Sequence, residues 1–457
     1  MKTLPKRLWF APIFGMVMAL LCSNGLTIDM QYTVAVTTWV ALWWIFEVVP
    51  IPIASLIPFV LFPMGGILSN KVIAQAYGHW LIILLMGGFM LSTMIERSDL
   101  HRRFAVSIIR IIGVNSPKRL LLGVMLATAI MSAWISNTAT TLIVLPIVLA
   151  LGKMTEDTDM LSILLLGLAY SASIGGMSTP IGTPPNIVLL GVLEETTGET
   201  IPFLSWMRFA VPIALSLLIL TWLMLGRRLK SNLQSIVLPE LEAMNTHQRR
   251  VLGIFGLVVM MWVFRSQPFG GWTGVFPTMK IGDDTIALLG VVLAFVVPSG
   301  TTDERVLTWD AAKDIPWGLL LLFGGGIAIA KAFQQSGLSQ VIGEQLVGLQ
   351  QFPFLFMIAG LCLTVTFLTE VTSNTATTTL LMPILVSAAL AAQMDPKLWM
   401  VPAALSASCA FMLPVATAPN AIVFGSGAVS TQEMSKMGIQ INLIGVVVIS
   451  LGTLWLL

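Results

Sequence analysis

Apolar residues fall in long continuous runs along this chain, without the period-two alternation of barrel strands. A run of about 20 apolar residues reads as one membrane-spanning helix. The runs and their breaks predict spans near 8–23, 31–49 and 51–68, followed by a long glycine-broken segment over 73–112. Segments at 119–152, 160–193, 205–229, 247–264 and 284–298 come next. A second glycine-broken segment covers 310–347, and the chain ends with 352–392, 397–426 and 436–457. Gly175-Gly176, Gly182 to Pro185 and Pro414 to Pro419 fall inside apolar segments. In lipid, such breaks stand only where the backbone is buried in protein or lines a polar cavity.

Composition narrows the class. Of 457 residues, 56% are hydrophobic and 10% charged, and the mean hydropathy is +0.90. A soluble chain carries roughly 25% charged residues, so a water-soluble enzyme, a nucleic-acid binder and a disordered scaffold are excluded. The lipid bilayer is the one partner that composition implies. The net charge of +2 adds nothing. Cys22, Cys362 and Cys409 are far apart in apolar stretches and read as buried bystanders. His79, His101 and His247 are scattered, so no His/Cys/carboxylate cluster offers a zinc, haem or triad site. The basic amino terminus MKTLPKRLWF runs into an apolar stretch with no clear cleavage site, and reads as a retained first span.

Lys and Arg counts in the connections set the orientation. Eighteen lie on one side and five on the other, with Lys331 left within a span. The split holds only if 119–152 and 352–392 each enter and leave on the same side, as re-entrant hairpins. The expectation is an all-α polytopic protein of a cell inner (plasma) membrane, with about eleven crossings and two hairpins. Its amino terminus is cytoplasmic and its carboxyl terminus external.

An internal repeat carries the functional signal. SNTATTLIVLPIV at 136–148 recurs as SNTATTTLLMPIL at 373–385, with eight of thirteen positions matched, at an offset of 237 residues. At that offset Trp80 and LLMGG (84–88) meet Trp317 and LLFGG (321–325). At 234–235, SASIGGMSTPIGTPPN (171–186) meets SASCAFMLPVATAPN (406–420). In this topology the two copies face opposite sides, which is an inverted-topology repeat. Secondary transporters place substrate and coupling ions where such repeats meet, on interrupted helices. The repeat divides the chain into first-repeat scaffold helices (1–118), a first transport part with hairpin and broken helix (119–230), second-repeat scaffold helices (231–350) and a second transport part (351–457).

Each SNT is expected at a hairpin tip. Hydroxyls and amides there offer donors and acceptors without formal charge. Half-helix N-termini suit an anion, whereas free carbonyls and hydroxyl oxygens suit a small hard cation such as sodium. GTPPN and ATAPN interrupt the partner helices, because proline lacks a backbone donor. Ser, Thr, Ala and Gly in membrane helices are ordinarily packing residues, but the duplication of SNTATT with a duplicated proline–asparagine break outweighs that reading. Neither motif contains Lys or Arg, so a dianion must be held by dipoles, amides, hydroxyls and bound cations. Glu370, three residues before the second SNT, is expected to support the hairpin tip; Ala133 aligns with it in the first half. Glu47 and Lys331 either pair or face cavities.

These paired SNT motifs, each followed by a TPPN-type break, resemble the divalent anion:sodium symporter family, the INDY-type di- and tricarboxylate transporters. The resemblance covers nearly the whole chain. It implies sodium-coupled uptake of succinate-like dicarboxylates by a homodimer with an elevator motion. Carried over residue by residue, Ser136, Asn137, Thr138, Ser373, Asn374, Thr375 and Thr417 contact the substrate. One sodium site uses Ser132, Ser136, Asn137 and Gly182, and the other Thr369, Thr372, Asn374 and Ala416, so two or more co-transported sodium ions are implied. Ala418 departs from the pattern, standing where GTPPN has its first proline. Relatives that carry sulfate or that exchange anions share the framework, as would a proton-coupled carrier. Other classes find no support. No nucleophile–base pair lies in a span, no GxxxxGK[ST] loop suggests an ATP-driven pump, and a midplane site closed by hairpins argues against a channel.

Overall fold

The computed structural model describes residues 4–21, 25–153, 158–229, 238, 240–265, 270–276, 278, 281–300, 304–346 and 353–457. Cys22, Lys2, Lys230 and Lys280 lie outside the described residues. Among those described, every regular element is a helix, apart from one isolated bridge between Pro298 and Arg305.

The chain opens with the packed pair α1 (Leu4–Leu21) and α2 (Ile28–Phe46). The short helices α3 (Ile51–Ala54), α4 (Ile57–Met64) and α5 (Asn70–Tyr77) lead into α6 (Trp80–Arg97) and α7 (Leu100–Ile112). A hairpin of α8 (Pro117–Ser132) and α9 (Asn137–Lys153) follows. Next comes a helix interrupted midway, α10 (Thr158–Gly176) and α11 (Pro184–Thr197), and then α12 (Phe203–Gly226). The second half repeats this order. α13 (Thr246–Val263), α14 (Gly271–Val275), α15 (Asp283–Val296) and α16 (Trp309–Ala312) precede α17 (Trp317–Ser336) and α18 (Leu338–Leu346). A second hairpin, α19 (Phe354–Thr369) and α20 (Asn374–Ala391), is followed by a second broken helix, α21 (Lys397–Ala407) and α22 (Ala418–Gly425), and by α23 (Thr431–Leu456). Among the described residues, six helical stretches are long and apolar enough to cross a membrane, with shorter apolar helices beside them.

The expected hairpins and broken helices are present, but the glycine pairs do not break their segments. Gly87-Gly88 and Gly324-Gly325 lie inside continuous α6 and α17. The interruptions fall instead at Gly78-His79, at Ser98-Asp99 and at Gly337. At Gly325 a Cβ would stand 2.8 Å from the Ser55 carbonyl oxygen, so glycine there lets the backbones touch.

The two halves interlock through the hairpins. α22 packs on α9 and α10 of the first half, and α11 packs on α20 and α21 of the second. Tyr170 of α10 donates its hydroxyl to the Met434 carbonyl of α23 at 3.2 Å, a buried tie between halves. Each interrupted element therefore leans on the opposite repeat. That puts all four breaks in one place.

Candidate functional site

The SNT motif is a helix start. Ser136 accepts the Ala139 N–H at 3.2 Å, and Ser373 caps α20 through the Ala376 N–H at 3.5 Å. A serine at this position satisfies one of the four free N–H groups of a first turn. Thr141 and Thr378, four residues after each asparagine, return their hydroxyls to the carbonyls of Asn137 and Asn374 at 2.7 and 2.8 Å. At the partner breaks, Thr183 and Thr417 stand at the N-caps of α11 and α22, with proline inside the first turn of each. Thr417 accepts the Asn420 N–H at 3.2 Å.

All four helix starts open onto one cavity of about 770 Å³. Ser136, Asn137, Thr138, Thr183, Ser373, Asn374, Thr375 and Thr417 line it, with Gly182, Thr372 and Ala416. Among the described residues, its charged lining consists of Glu47, Glu96 and Asp314, with no Lys or Arg. Each helix start carries roughly half a positive charge, so four of them aim at a basin without a basic side chain. The cavity continues between the ends of α2 and α6 and the start of α17, past Trp44, Phe89 and Leu319.

Behind the tips lies a second kind of site. Ser132 Oγ is 2.6 Å from Asn137 Oδ1 and 2.7 Å from the Ala172 carbonyl. Thr369 Oγ1 repeats this, 2.6 Å from Asn374 Oδ1 and 3.0 Å from the Ala407 carbonyl. A hydroxyl has one proton to donate, so in each half two acceptors share a single donor. Such oxygen-rich, uncharged corners suit a hard cation, which takes oxygen ligands. Around the first corner, a Cβ on Gly176 would stand 2.6 Å from Asn137 Oδ1, and one on Gly182 would stand 2.5 Å from the Gly176 carbonyl oxygen. Both glycines are therefore needed for the backbone to close on the asparagine. The second corner has Phe411 and Ala416 at the corresponding places and closes differently.

Ser132 and Thr369 are fully buried, whereas Ser136 and Thr138 face the cavity. The proposed cation residues thus divide into buried and cavity-facing members. Thr372 turns its hydroxyl to the Leu368 carbonyl at 2.7 Å and to Thr377 Oγ1 at 2.6 Å, away from the Thr369–Asn374 corner.

Glu370 departs from the expectation that it supports the hairpin tip. Its carboxylate accepts backbone N–H groups from Phe411, Met412 and Leu413 at 2.7, 2.9 and 3.1 Å, and the Asn442 amide at 2.7 Å. It holds the break between α21 and α22, where three consecutive N–H groups have no helical carbonyl to bond. In the first half Thr179 bonds the Ala133 carbonyl instead, and Trp206 Nε1 donates to the Met177 carbonyl at 3.0 Å. Lys331 pairs with Glu195 at 3.0 Å, and Glu47 lines the cavity.

Asn186 and Asn420, the last residues of GTPPN and ATAPN, carry roles that sequence reasoning missed. Asn186 Nδ2 reaches the Gly176 and Thr179 carbonyls at 3.1 and 2.8 Å. Asn420 Nδ2 reaches the Ala410 and Leu413 carbonyls, each at 3.0 Å. The repeated proline–asparagine pair located the break, but gave no sign that the asparagine stitches it.

The pattern of the citrate transporter family matches residues 41–404. The sodium-dependent dicarboxylate transporter SdcS of Staphylococcus saprophyticus is 39% identical over 96% of this chain and 88% of that protein. Its Staphylococcus aureus counterpart (strain MW2) is 40% identical over 92% and 84%. The crystal structure of the Alcanivorax borkumensis YdaH transporter superposes with a TM-score of 0.63 at 14% identity, covering 84% of this chain and 87% of that one. That likeness extends to the fold. With most of its length matched by the family pattern and by these relatives, the chain belongs to the citrate transporter family of multi-pass membrane carriers, in the company of the sodium-dependent dicarboxylate transporters that its SNT motifs resemble.

Proposed function

We propose that this protein imports C4-dicarboxylates such as succinate together with sodium ions, by an elevator-type alternating-access motion, as a homodimer. The observation that carries the reading is the convergence of four helix starts on one cavity without basic residues, backed by two hydroxyl–amide oxygen corners. The names of the staphylococcal relatives support both the ion and the substrate class.

In this reading Ser136, Asn137 and Thr138 receive one substrate carboxylate, and Ser373, Asn374 and Thr375 the other, with Thr417 beside them. The first sodium ion takes oxygens from Ser132, Ser136, Asn137 and Gly182. The second takes them from Thr369, Asn374 and Ala416, with Thr372 joining once its hydroxyl turns. Asn137 and Asn374 then serve ion and substrate at once, so cation binding orders the amide that the dianion meets. That sequence gives coupling a physical basis: without the cations, two carboxylates would face partial charges alone.

The hairpins and broken helices, 119–230 and 351–457, travel as one unit against 1–118 and 231–350. The interlocking of α11 and α22 with the opposite repeat supports this division. With a cytoplasmic amino terminus and an external carboxyl terminus, the cavity opens to the cytoplasm. Radiolabelled succinate uptake into proteoliposomes is the test. Uptake is expected with an inward sodium gradient and absent with choline in its place. Sodium-independent uptake, or sulfate carried in preference to succinate, would overturn the reading.

A further inference from the structure

We infer that Glu194 and Glu195, at the end of α11, form a polar latch with His79, Trp80 and Lys331 that holds the carrier in the state with its cavity open. The inference rests on the elevator reading, since it assigns α11 to the moving unit and α6 and α17 to the scaffold.

The seam between these helices is apolar for most of its length. Ile187, Val188 and Val192 of α11 face Leu81 and Ile82 of α6 and Phe323 and Ile327 of α17 around a small void. Aliphatic side chains exchange partners at little cost when one surface slides along another, because dispersion and burial have no fixed direction. Polar contacts gather where α11 ends. Trp80 Nε1 donates to Glu194 Oε2 at 2.5 Å, His79 Nε2 lies 3.9 Å from the same oxygen, and Lys331 Nζ lies 3.0 Å from Glu195 Oε1. The Lys331 and Glu195 side chains are 14% and 20% exposed, so the pair is largely shielded.

Direction separates the two kinds of contact. A slide of α11 by a single helical turn, about 5.4 Å, leaves aliphatic against aliphatic but parts Glu195 from Lys331 and Glu194 from Trp80. A half-buried charge that loses its partner is strongly disfavoured. The latch therefore favours one end of the stroke, and its strength sets the ratio of the two carrier states. It also gives Lys331, an ionisable residue within a span, a task away from the substrate.

The test uses the full-length protein in proteoliposomes, with its three cysteines replaced and one reporter, Leu319→Cys, on the scaffold wall of the cavity. Labelling by an impermeant maleimide reads the ratio of open to closed cavities. Glu195→Gln and Lys331→Met are each expected to lower that ratio about tenfold, the equivalent of ~1.4 kcal/mol. The exchanged pair Glu195→Lys with Lys331→Glu should restore most of it. Trp80→Phe, which keeps the ring and loses one donor, should lower it less and in the same direction, and it carries the test should a charge variant fail to fold. Single variants that label like the parent, or an exchanged pair as low as the singles, would overturn the latch. If parent labelling does not respond to sodium and succinate, the two-state reading itself has failed.

Discussion

Asn186 and Asn420 make the same bonds in opposite halves: each returns its side-chain amide across a helix break to carbonyls seven and ten residues upstream. Both are fully buried. A break inside a membrane leaves free carbonyls with no water to satisfy them, and these amides supply the missing donors.

Replacing either asparagine by alanine is expected to lower stability by about 1–3 kcal/mol, the range for leaving buried acceptors unpaired. Asn→Asp should be no better, because an ionised carboxylate cannot donate. Melting temperature in detergent is the measurement. A variant that melts with the wild type would show that these bonds carry no load.

The hydroxyl corners predict a sodium phenotype. Ser132→Ala and Thr369→Ala each remove one oxygen from a cluster otherwise built of amide and carbonyl, and Thr369→Ser keeps it. A cation that binds only the folded state stabilises it by about 2.7 kcal/mol at a hundredfold excess over its Kd. The alanine variants should therefore lose much of the sodium-dependent rise in melting temperature, and Thr369→Ser should retain it. Asn137→Ala and Asn374→Ala should lose both this rise and transport, as each amide serves ion and substrate in the proposed mechanism. Unaltered sodium activation in both asparagine variants would remove the basis for the two ion sites.

Much of this architecture was legible in the sequence because it is written twice. The SNT pair, the proline breaks and the repeat offset mark the hairpins and the place where they meet. Three features were not. The glycine pairs at 87–88 and 324–325 look like breaks, yet both lie inside continuous helices: Gly87 lets Ala287 approach, Gly324 and Gly325 make room for Tyr77 and Ser55, and Gly88 opens onto the cavity. Glu370 sits beside the hairpin tip in sequence but bonds the Phe411–Leu413 loop about forty residues away, a tertiary contact that local spacing does not announce. Lys331 found Glu195 across a seam between repeats, and no periodicity within either helix could announce that pair.

Orientation is tested by labelling. The 18-to-5 split of Lys and Arg predicts that both the 97–119 and the 227–250 connections lie on the cytoplasmic side. A single cysteine in 97–119 should resist an impermeant reagent in intact cells and react after permeabilisation. Reaction without permeabilisation would invert the topology and, with it, the side to which the cavity opens.

Acid should act at two places that can be told apart. His101, in α7 beyond the long span, is held neutral by burial, which lowers its pKa below 6.5 despite the Ile95 carbonyl and Asp99 nearby. A depressed folded pKa means its contribution to stability is complete above about 6.5 and is lost as pH falls through the lower folded value. His101→Gln should flatten the loss of melting temperature in acid. It should leave intact any fall in uptake that comes from protonating the substrate.

Moving one elementary charge through 100 mV is worth about 2.3 kcal/mol, so bringing a dianion into a negative interior at that potential costs about 4.6 kcal/mol. Among the described residues no basic side chain lines the cavity to neutralise the substrate, so in the proposed mechanism co-transported cations do it. Two sodium ions would cancel the charge and leave the sodium gradient as the drive. A third would make uptake electrogenic and add about 2.3 kcal/mol. In the proposed mechanism each of the two oxygen corners holds one ion, so at least two sodium ions are expected to accompany each succinate dianion. Currents in proteoliposomes at clamped potential should therefore be zero or carry net positive charge inward with substrate. Uptake should also fall between pH 7.5 and 5.5 at fixed total succinate as the dianion is depleted. A current carrying net negative charge inward would require fewer than two ions per dianion. Uptake that rises in acid and persists without sodium would assign the coupling to protons instead.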